Sequence, residues 1–157
     1  MFLGIDPWVR KCWYALIQKN NVIVDAWILL QKSKEPSRED YFQKIIHIKK
    51  FFETMTEEHT IKAIWIEKLF FSPKNQANAE FVYWLRWVLI VHFMQLGIDV
   101  YEYSPIELKK NISSYGKATK QLMQKTIQQI FWLQKDPIYD DAADALWLAY
   151  LASRQYT

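Results

Sequence analysis

Residues 1–30, MFLGIDPWVRKCWYALIQKNNVIVDAWILL, contain three short apolar runs separated by polar residues. The runs Phe2–Asp6, Trp13–Gln18 and Val22–Leu30 are rich in β-branched and aromatic side chains, and an Asn-Asn pair precedes the third. This composition favours strands, and asparagine favours the turn between them. We therefore predict a first strand that continues into an antiparallel hairpin.

The rest of the chain alternates helices and strands. A capping box at Ser37 begins a helix that ends near Glu57, and Gly97 ends a long apolar helix. The further predicted elements are a strand at Ile61–Glu67, a helix at Asn75–Leu96, a strand at Asp99–Tyr103, and helices from Ser104, over Lys117–Phe131 and over Asp140–Arg154. This order predicts an α/β fold, a mixed five-stranded sheet with helices on both faces, in a single domain spanning 1–157.

Composition excludes several classes of protein. The 157 residues include one cysteine, so no intrachain disulfide can form, which fits a reducing compartment. The N-terminus lacks the basic region of a signal peptide, and the most apolar stretch, Trp87–Met94, is too short to cross a bilayer. There is no glycine-rich phosphate-binding motif, and the histidines lack metal-ligand spacing. We expect a cytoplasmic protein that does not insert into a membrane.

Four carboxylates lie far apart in the sequence but at positions that can converge. Asp6 and Glu67 each end a predicted strand, and Asp141 and Asp144 lie three residues apart on one helix face. Each alone has an ordinary explanation as a turn, surface or helix-terminus residue. Together they predict a site for two Mg²⁺ ions, an arrangement that hydrolyses phosphodiesters.

A basic segment follows the fifth predicted strand. Between Leu108 and Lys135 there is no Asp or Glu, although the whole chain carries a net charge of only +3. The lysines of this segment are Lys109, Lys110, Lys117, Lys120, Lys125 and Lys135. The segment could hold a polyanion over the acidic site or form an ordinary solvated face. Phe70 and Phe71, which follow Glu67, could likewise stack on unpaired bases or belong to the core.

At these residues the chain resembles the RuvC family of Holliday junction resolvases. The motifs that carry the resemblance are G-I-D-P, I-E-K-L-F-F, Y-x-P-x-x-x-K, G-x-A-x-K and D-A-A-D-A-L, in the family's order. They span Phe2 to Ala152, nearly the whole chain. The resemblance implies a ribonuclease H-like fold, a homodimer, and paired symmetric nicking of four-way DNA junctions in recombination and repair, with Mg²⁺ or Mn²⁺ as the cofactor.

The resemblance also implies roles for particular residues. The family's catalytic, metal-binding acids correspond to Asp6, Glu67, Asp141 and Asp144. Its DNA contacts correspond to Phe70, Lys109 and Lys120, and we add Lys117 from the same basic segment. The dimer helix corresponds to residues 78–95, with Phe81, Leu85, Val88 and Val91 as its apolar residues. A branch-migration helicase complex is a further candidate partner.

Two other functions remain open at this point. A different ribonuclease H-like nuclease, such as a YqgF-type protein that acts on RNA, would share the fold, although I-E-K-L-F-F and D-A-A-D-A-L argue against it. A junction-binding dimer with an impaired active site would explain bulky residues near Asp6, although the intact carboxylates argue against it.

Tryptophan is unusually frequent and glycine unusually rare. The chain has 8 Trp and 3 Gly, whereas about 7% glycine is typical. Trp8, Trp13, Trp27, Trp87 and Trp132 stand where the RuvC pattern often has glycine, which permits positive φ or close backbone approach. One hypothesis is that these positions are UGA codons, which some bacteria translate as glycine and other codes as tryptophan.

Overall fold

The computed structural model describes residues 1–33, 37–68, 79–112, 119–134 and 140–156. Within these ranges, the side chains of residues 105, 108, 109, 112, 140 and 141 lie outside the description.

Five strands form one mixed sheet. They are β1 (Phe2–Pro7), β2 (Lys11–Ile17), β3 (Ile23–Leu30), β4 (Ala63–Glu67) and β5 (Asp99–Tyr103). The order across the sheet is β3-β2-β1-β4-β5. The first three strands form the predicted antiparallel meander, and β4 pairs in parallel with both β1 and β5. This confirms the predicted mixed sheet and places β1 at its centre.

The helices cover both faces of the sheet, as predicted. They are α1 (Arg38–Glu58), α2 (Ala79–Gln95), α3 (Pro105–Ile112), α4 (Lys120–Phe131) and α5 (Asp140–Gln155). Strand residues alternate between faces. Leu3 and Ile5 therefore join a core with α1 and α2, whereas Phe2 and Trp65 join a second core with α4 and α5.

Local hydrogen bonds explain where several helices begin and end. The Ser37 hydroxyl accepts from the Asp40 backbone N–H at 3.1 Å and caps α1. Before α3, the Ser104 hydroxyl accepts from the Glu107 N–H, while the Glu107 carboxylate accepts from the Ser104 N–H at 2.9 Å. This reciprocal pair is a complete capping box. Gly97 follows α2 with φ of +72°, a conformation that favours glycine and ends the helix.

Helix α2 presents two different faces. Phe81 and Leu85 are buried in the core with α1, so the expectation that they lie on a dimer surface is wrong. The exposed face instead carries an apolar stripe of Tyr83, Trp87, Val91 and Met94. Their spacing of three or four residues puts them on one side of the helix. These four residues therefore form the outward apolar face of α2. Of the residues that were expected on it, only Val91 is among them.

The tryptophans differ in burial. Trp13, Trp65 and Trp147 are buried, Trp84 is partly buried, and the remaining four are exposed: Trp8, Trp27, Trp87 and Trp132. Trp132 is 91% exposed and ends α4 in the left-handed conformation, with φ of 53° and ψ of 39°. That conformation after a helix is typical of glycine and strains residues that have a Cβ.

Within the described residues, no helix has both the length and the hydrophobicity that a bilayer span requires.

Candidate active site

Two of the predicted acids end neighbouring strands. In the parallel pair β1–β4, Ile5 lies opposite Ile66, so Asp6 and Glu67 follow at the same edge of the sheet. Adjacent strands are about 4.8 Å apart. Both side chains share the face of Phe2 and Trp65, because residues two apart on a strand point the same way. The structure therefore brings these two carboxylates into one neighbourhood.

Helix α5 crosses this face with its N-terminal end towards Asp6. The Phe2 and Tyr156 rings lie 5.8 Å apart, which fixes the C-terminal end of α5 near the start of β1. Further along β1, a Cβ at Gly4 would lie 2.1 Å from the Ala145 carbonyl oxygen. The helix backbone therefore rests directly on Gly4. The turn that precedes Ala145 consequently extends towards the carboxyl end of β1, where Asp6 lies.

The acidic pair of α5 lies in this first part of the helix. Asp144 directly precedes Ala145 and is half-buried, and Asp141 is one turn earlier. The Asp141 side chain lies outside the described residues. The N-terminus of a helix carries a partial positive charge that stabilises nearby carboxylates. Alanines at 142, 143 and 145 are small enough for the close approach that brings this acidic turn to the sheet.

The two strand-end carboxylates are withdrawn from water. Asp6 is 2% exposed and Glu67 is 8% exposed. Asp6 lies opposite Trp13 in the β1–β2 pair, so the Trp13 indole is buried on the same face. Burial raises the pKa of the neighbouring Cys12 thiol, and the negative charge of Asp6 raises it further. Cys12 is therefore a protonated core residue at neutral pH, which removes it as a competing nucleophile.

The acids fit a hard divalent cation by their chemistry. Carboxylate oxygens are the ligands that Mg²⁺ and Mn²⁺ prefer, and buried carboxylates at one edge are stabilised by a cation between them. Among the side chains that the structure describes, no three acidic, histidine or cysteine groups are close enough to hold a metal ion. The predicted set includes Asp141, whose side chain is outside that description. Asp6, Glu67 and Asp144 are the described members of the set.

The predicted DNA contacts are only partly described. Phe70 and Lys117 lie outside the described residues. Lys109 is in α3, and its side chain is also outside the description. Lys120 is the first residue of α4 and is exposed, and Thr119 before it caps the helix by accepting from the Leu122 N–H at 3.2 Å.

Basic residues near the same edge of the sheet were missed by sequence reasoning. Arg10 lies in the turn after β1, Lys11 is the first residue of β2, and Lys32 follows β3. The backbone N–H of Gln31 donates to the Arg10 carbonyl at 2.9 Å, which holds these segments together. The signal available in the sequence was the meander itself. An antiparallel β2–β3 pair places the start of β2 beside the end of β3.

Comparison with known proteins gives matches over nearly the whole chain. A family model described as crossover junction endodeoxyribonuclease RuvC matches residues 2–151. The crossover junction endodeoxyribonuclease RuvC of Natranaerobius thermophilus is 28% identical over 156 residues, covering 99% of this chain and 96% of that protein. The RuvC of Thermosipho melanesiensis is 32% identical over 150 residues, covering 94% and 93%.

Solved structures give the same result for the fold. T. thermophilus RuvC in complex with a Holliday junction substrate matches with a TM-score of 0.79 and 20% identity, covering 96% of this chain and 91% of that one. The yeast mitochondrial Holliday junction resolvase matches with a TM-score of 0.70 and 17% identity, covering 97% and 77%. These likenesses confirm the ribonuclease H-like fold expected from the sequence.

Proposed function

Because the chain belongs to the RuvC family of crossover junction endodeoxyribonucleases, we propose that it resolves four-way DNA junctions by paired symmetric nicks that depend on Mg²⁺ or Mn²⁺. The observation that carries this proposal is the position of Asp6 and Glu67 at adjacent strand ends, beneath the acidic first turns of α5. The same family membership supports action on cellular DNA in the cytoplasm.

We assign the metal ligands to Asp6, Glu67, Asp141 and Asp144. A pair of bound divalent ions would supply an activated water and stabilise the leaving 3′ oxygen of an in-line displacement. The strands hold Asp6 and Glu67 in fixed positions, because each lies within the last two residues of a fully buried strand. The close packing of α5 on Gly4 sets the distance of Asp144 from them. Buried surroundings strengthen electrostatic interactions and exclude bulk water from the reacting phosphate.

The exposed stripe of α2 supports a homodimer. Tyr83, Trp87, Val91 and Met94 are 39%, 60%, 49% and 64% exposed, on one side of one helix. A contiguous apolar surface of this kind marks an interaction site. Two copies related by a two-fold axis would each bury this stripe, and would present two equivalent active sites to a junction that has its own near two-fold symmetry. Paired nicking requires two such sites.

The basic residues account for attraction of the junction. Lys120 lies at the exposed start of α4, and we propose Lys109 and Lys117 as further contacts to the phosphate backbone. Cationic side chains of this kind supply affinity without reading sequence. Phe70 follows Glu67 by three residues, and we propose that it stacks on a base at the junction centre. A branch-migration helicase remains a proposed partner.

The proposed function is tested with a labelled four-way junction and a linear duplex of the same sequence. We expect paired nicks in the junction with Mg²⁺, little cleavage of the duplex, and no cleavage with EDTA. Cleavage of junction and duplex at equal rates would contradict junction resolution. Undiminished cleavage in EDTA would contradict the metal mechanism. Preferential cleavage of RNA would favour the YqgF-type alternative, and binding without cleavage would favour the impaired dimer.

A further inference from the structure

A cavity of about 840 Å³ lies beside the candidate active site on the opposite face of the sheet. It is bounded by the turn after β1, the end of β3, and the starts of α1 and α2. Its apolar lining comprises Trp8, Val9, Leu30, Tyr41 and Val82. Its volume is within the range of about 300–1,000 Å³ that is usual for ligand sites.

A short backbone segment, from Asp6 to Lys11, lies between the candidate active site and the cavity. The Trp8 N–H donates to the carbonyl of Asp6 at 3.1 Å, and the Lys11 N–H donates to the carbonyl of Trp8 at 3.1 Å. These bonds make the turn that separates the cavity from Asp6 compact. A DNA strand that passes the end of β1 at Asp6 would therefore reach the cavity after crossing only this short turn of the protein.

The charges at the cavity are positive. Arg10, Lys11 and Lys32 line it and are exposed. Within the described part of the chain, none of the three forms an ion pair with a carboxylate. Asp40 lies close by, but the Lys44 ammonium is 2.6 Å from its carboxylate and offsets that charge. The cavity therefore presents cations to a ligand above an apolar floor.

These properties distinguish between two forms of DNA. A duplex arm is a convex rod that exposes phosphates, so it is bound by a flat or grooved basic surface and gains nothing from an apolar cavity. An unpaired nucleotide has a phosphate, which cations bind, and a base, which apolar and aromatic side chains bind. The cavity has both components.

We propose that this cavity binds one unpaired nucleotide of a junction strand, with its phosphate on Arg10 and Lys32 and its base against the exposed side chain of Leu30. The inference builds on the proposed function, since it identifies the part of the substrate that is held next to Asp6. It assigns the cavity to single-stranded DNA at the junction centre, where base pairs are open.

The test uses thiol protection by a short single strand. Cys12 is fully buried, so a Leu30→Cys variant carries one exposed thiol at the cavity. Tetrathymidylate is added with EDTA present, and the rate of maleimide alkylation is measured. We expect the oligonucleotide to slow alkylation of Leu30→Cys. A Lys19→Cys variant, labelled in the hairpin turn at the other edge of the sheet, should show no protection.

Charge variants show which residues hold the phosphate. In the Leu30→Cys background, Arg10→Ala with Lys32→Ala removes two contacts, each worth a slope of about 0.7 in log K against log salt for single strands. The tetrathymidylate concentration that gives half of the maximal protection from alkylation should therefore rise roughly 25-fold at about 0.1 M salt. Lys19→Ala with Lys50→Ala removes the same charge elsewhere and should shift it less than about twofold.

The outcomes separate this inference from the proposed function. Absence of protection at saturating tetrathymidylate, or equal shifts in both charge pairs, would overturn the cavity assignment even if the unmodified protein nicks junctions. Protection that depends on Arg10 and Lys32 would support the assignment even if nicking fails, because the binding test requires no metal and no cleavage.

Discussion

Replacing Gly4 by alanine would place a methyl group in the backbone of α5. The Cβ atom would lie 2.1 Å from the Ala145 carbonyl oxygen and 2.5 Å from the Ala149 nitrogen. Real Cβ atoms essentially never approach closer than 3.0 Å, so the helix would have to move away by at least the difference, 3.0 minus 2.1 or about 0.9 Å. Neither neighbour is a flexible side-chain end, so the strand and the helix must separate.

This displacement has two expected effects. Overpacking of this kind costs about 1–3 kcal/mol of stability. Asp144, which precedes Ala145, would move with the helix relative to Asp6 and Glu67. A misplacement of about 1 Å can reduce the rate about 100-fold. We therefore predict that Gly4→Ala folds with reduced stability and loses junction nicking by about two orders of magnitude.

The assay compares nicking of a labelled junction at saturating Mg²⁺ with denaturant unfolding of the same protein. Gly97→Ala is the matched control, because Gly97 has a positive φ and no atom of the described residues lies within 4 Å of an added Cβ. That variant should lose about 1–2 kcal/mol of stability to backbone strain and retain nicking. A folded Gly4→Ala protein that nicks within threefold of wild type would refute the proposed role of helix packing in the site.

Other predictions concern the surface and the helix ends. Lys120→Ala should reduce the slope of log K against log salt for junction binding by about 0.9 if it contacts one phosphate, whereas Lys50→Ala should leave the slope unchanged. Trp132→Gly should raise the free energy of unfolding by about 1 kcal/mol, because it removes a strained left-handed residue. This gain should raise Tm by about 2–4 °C. An unchanged Tm would contradict the strain at Trp132. Hydrogen bonds from Ser104 lower the pKa of Glu107. The folded state therefore favours the ionised carboxylate of Glu107. This preference contributes to the free energy of unfolding above the usual glutamate pKa, and the contribution is lost as the pH falls through the lowered pKa of the folded state. The stability difference between wild type and Glu107→Gln, measured by denaturant unfolding, should consequently shrink from neutral to acid pH, and a constant difference would contradict this linkage.

The main elements of the fold could be predicted because they depend on local patterns. Capping boxes at Ser37 and Ser104 and the glycine after α2 each correspond to an observed helix terminus. Alternating or continuous apolar runs marked the strands. The two faces of α2 could not be separated, since that helix is apolar nearly all round and its periodicity carries little directional information. Only packing against α1 shows that Phe81 and Leu85 point inward.

The candidate site likewise combines features that the sequence predicted with features that it could not predict. Strand-end positions predicted that Asp6 and Glu67 would be neighbours, and the parallel β1–β4 pair places them so. The position of α5 could not be derived, because it depends on the absence of a side chain at Gly4 rather than on a property of the acids. The cavity near Arg10 was also missed, since it is formed by segments that only the three-dimensional meander brings together.

The tryptophans bear on the hypothesis of recoded glycine. Trp132 occupies a left-handed helix-terminal position, which is where glycine is favoured. Trp65, in contrast, is fully buried and stacks on Tyr103 with ring centroids 4.3 Å apart. The hypothesis predicts UGA codons at Trp8, Trp13, Trp87 and Trp132, and UGG codons there would refute it. A protein with glycine at Trp8 and Trp13 should then nick junctions faster, because it has more room around Asp6.

The most direct test of the central claim is the nicking rate of Glu67→Gln under single-turnover conditions with Mg²⁺. This change removes the charge of one proposed metal ligand and keeps the shape of the side chain. Glu57→Gln, at an exposed position near the end of α1, is the matched control. We predict that Glu67→Gln binds the junction but does not nick it, while Glu57→Gln behaves as wild type. Wild-type nicking by a correctly folded Glu67→Gln protein would contradict the proposed metal site.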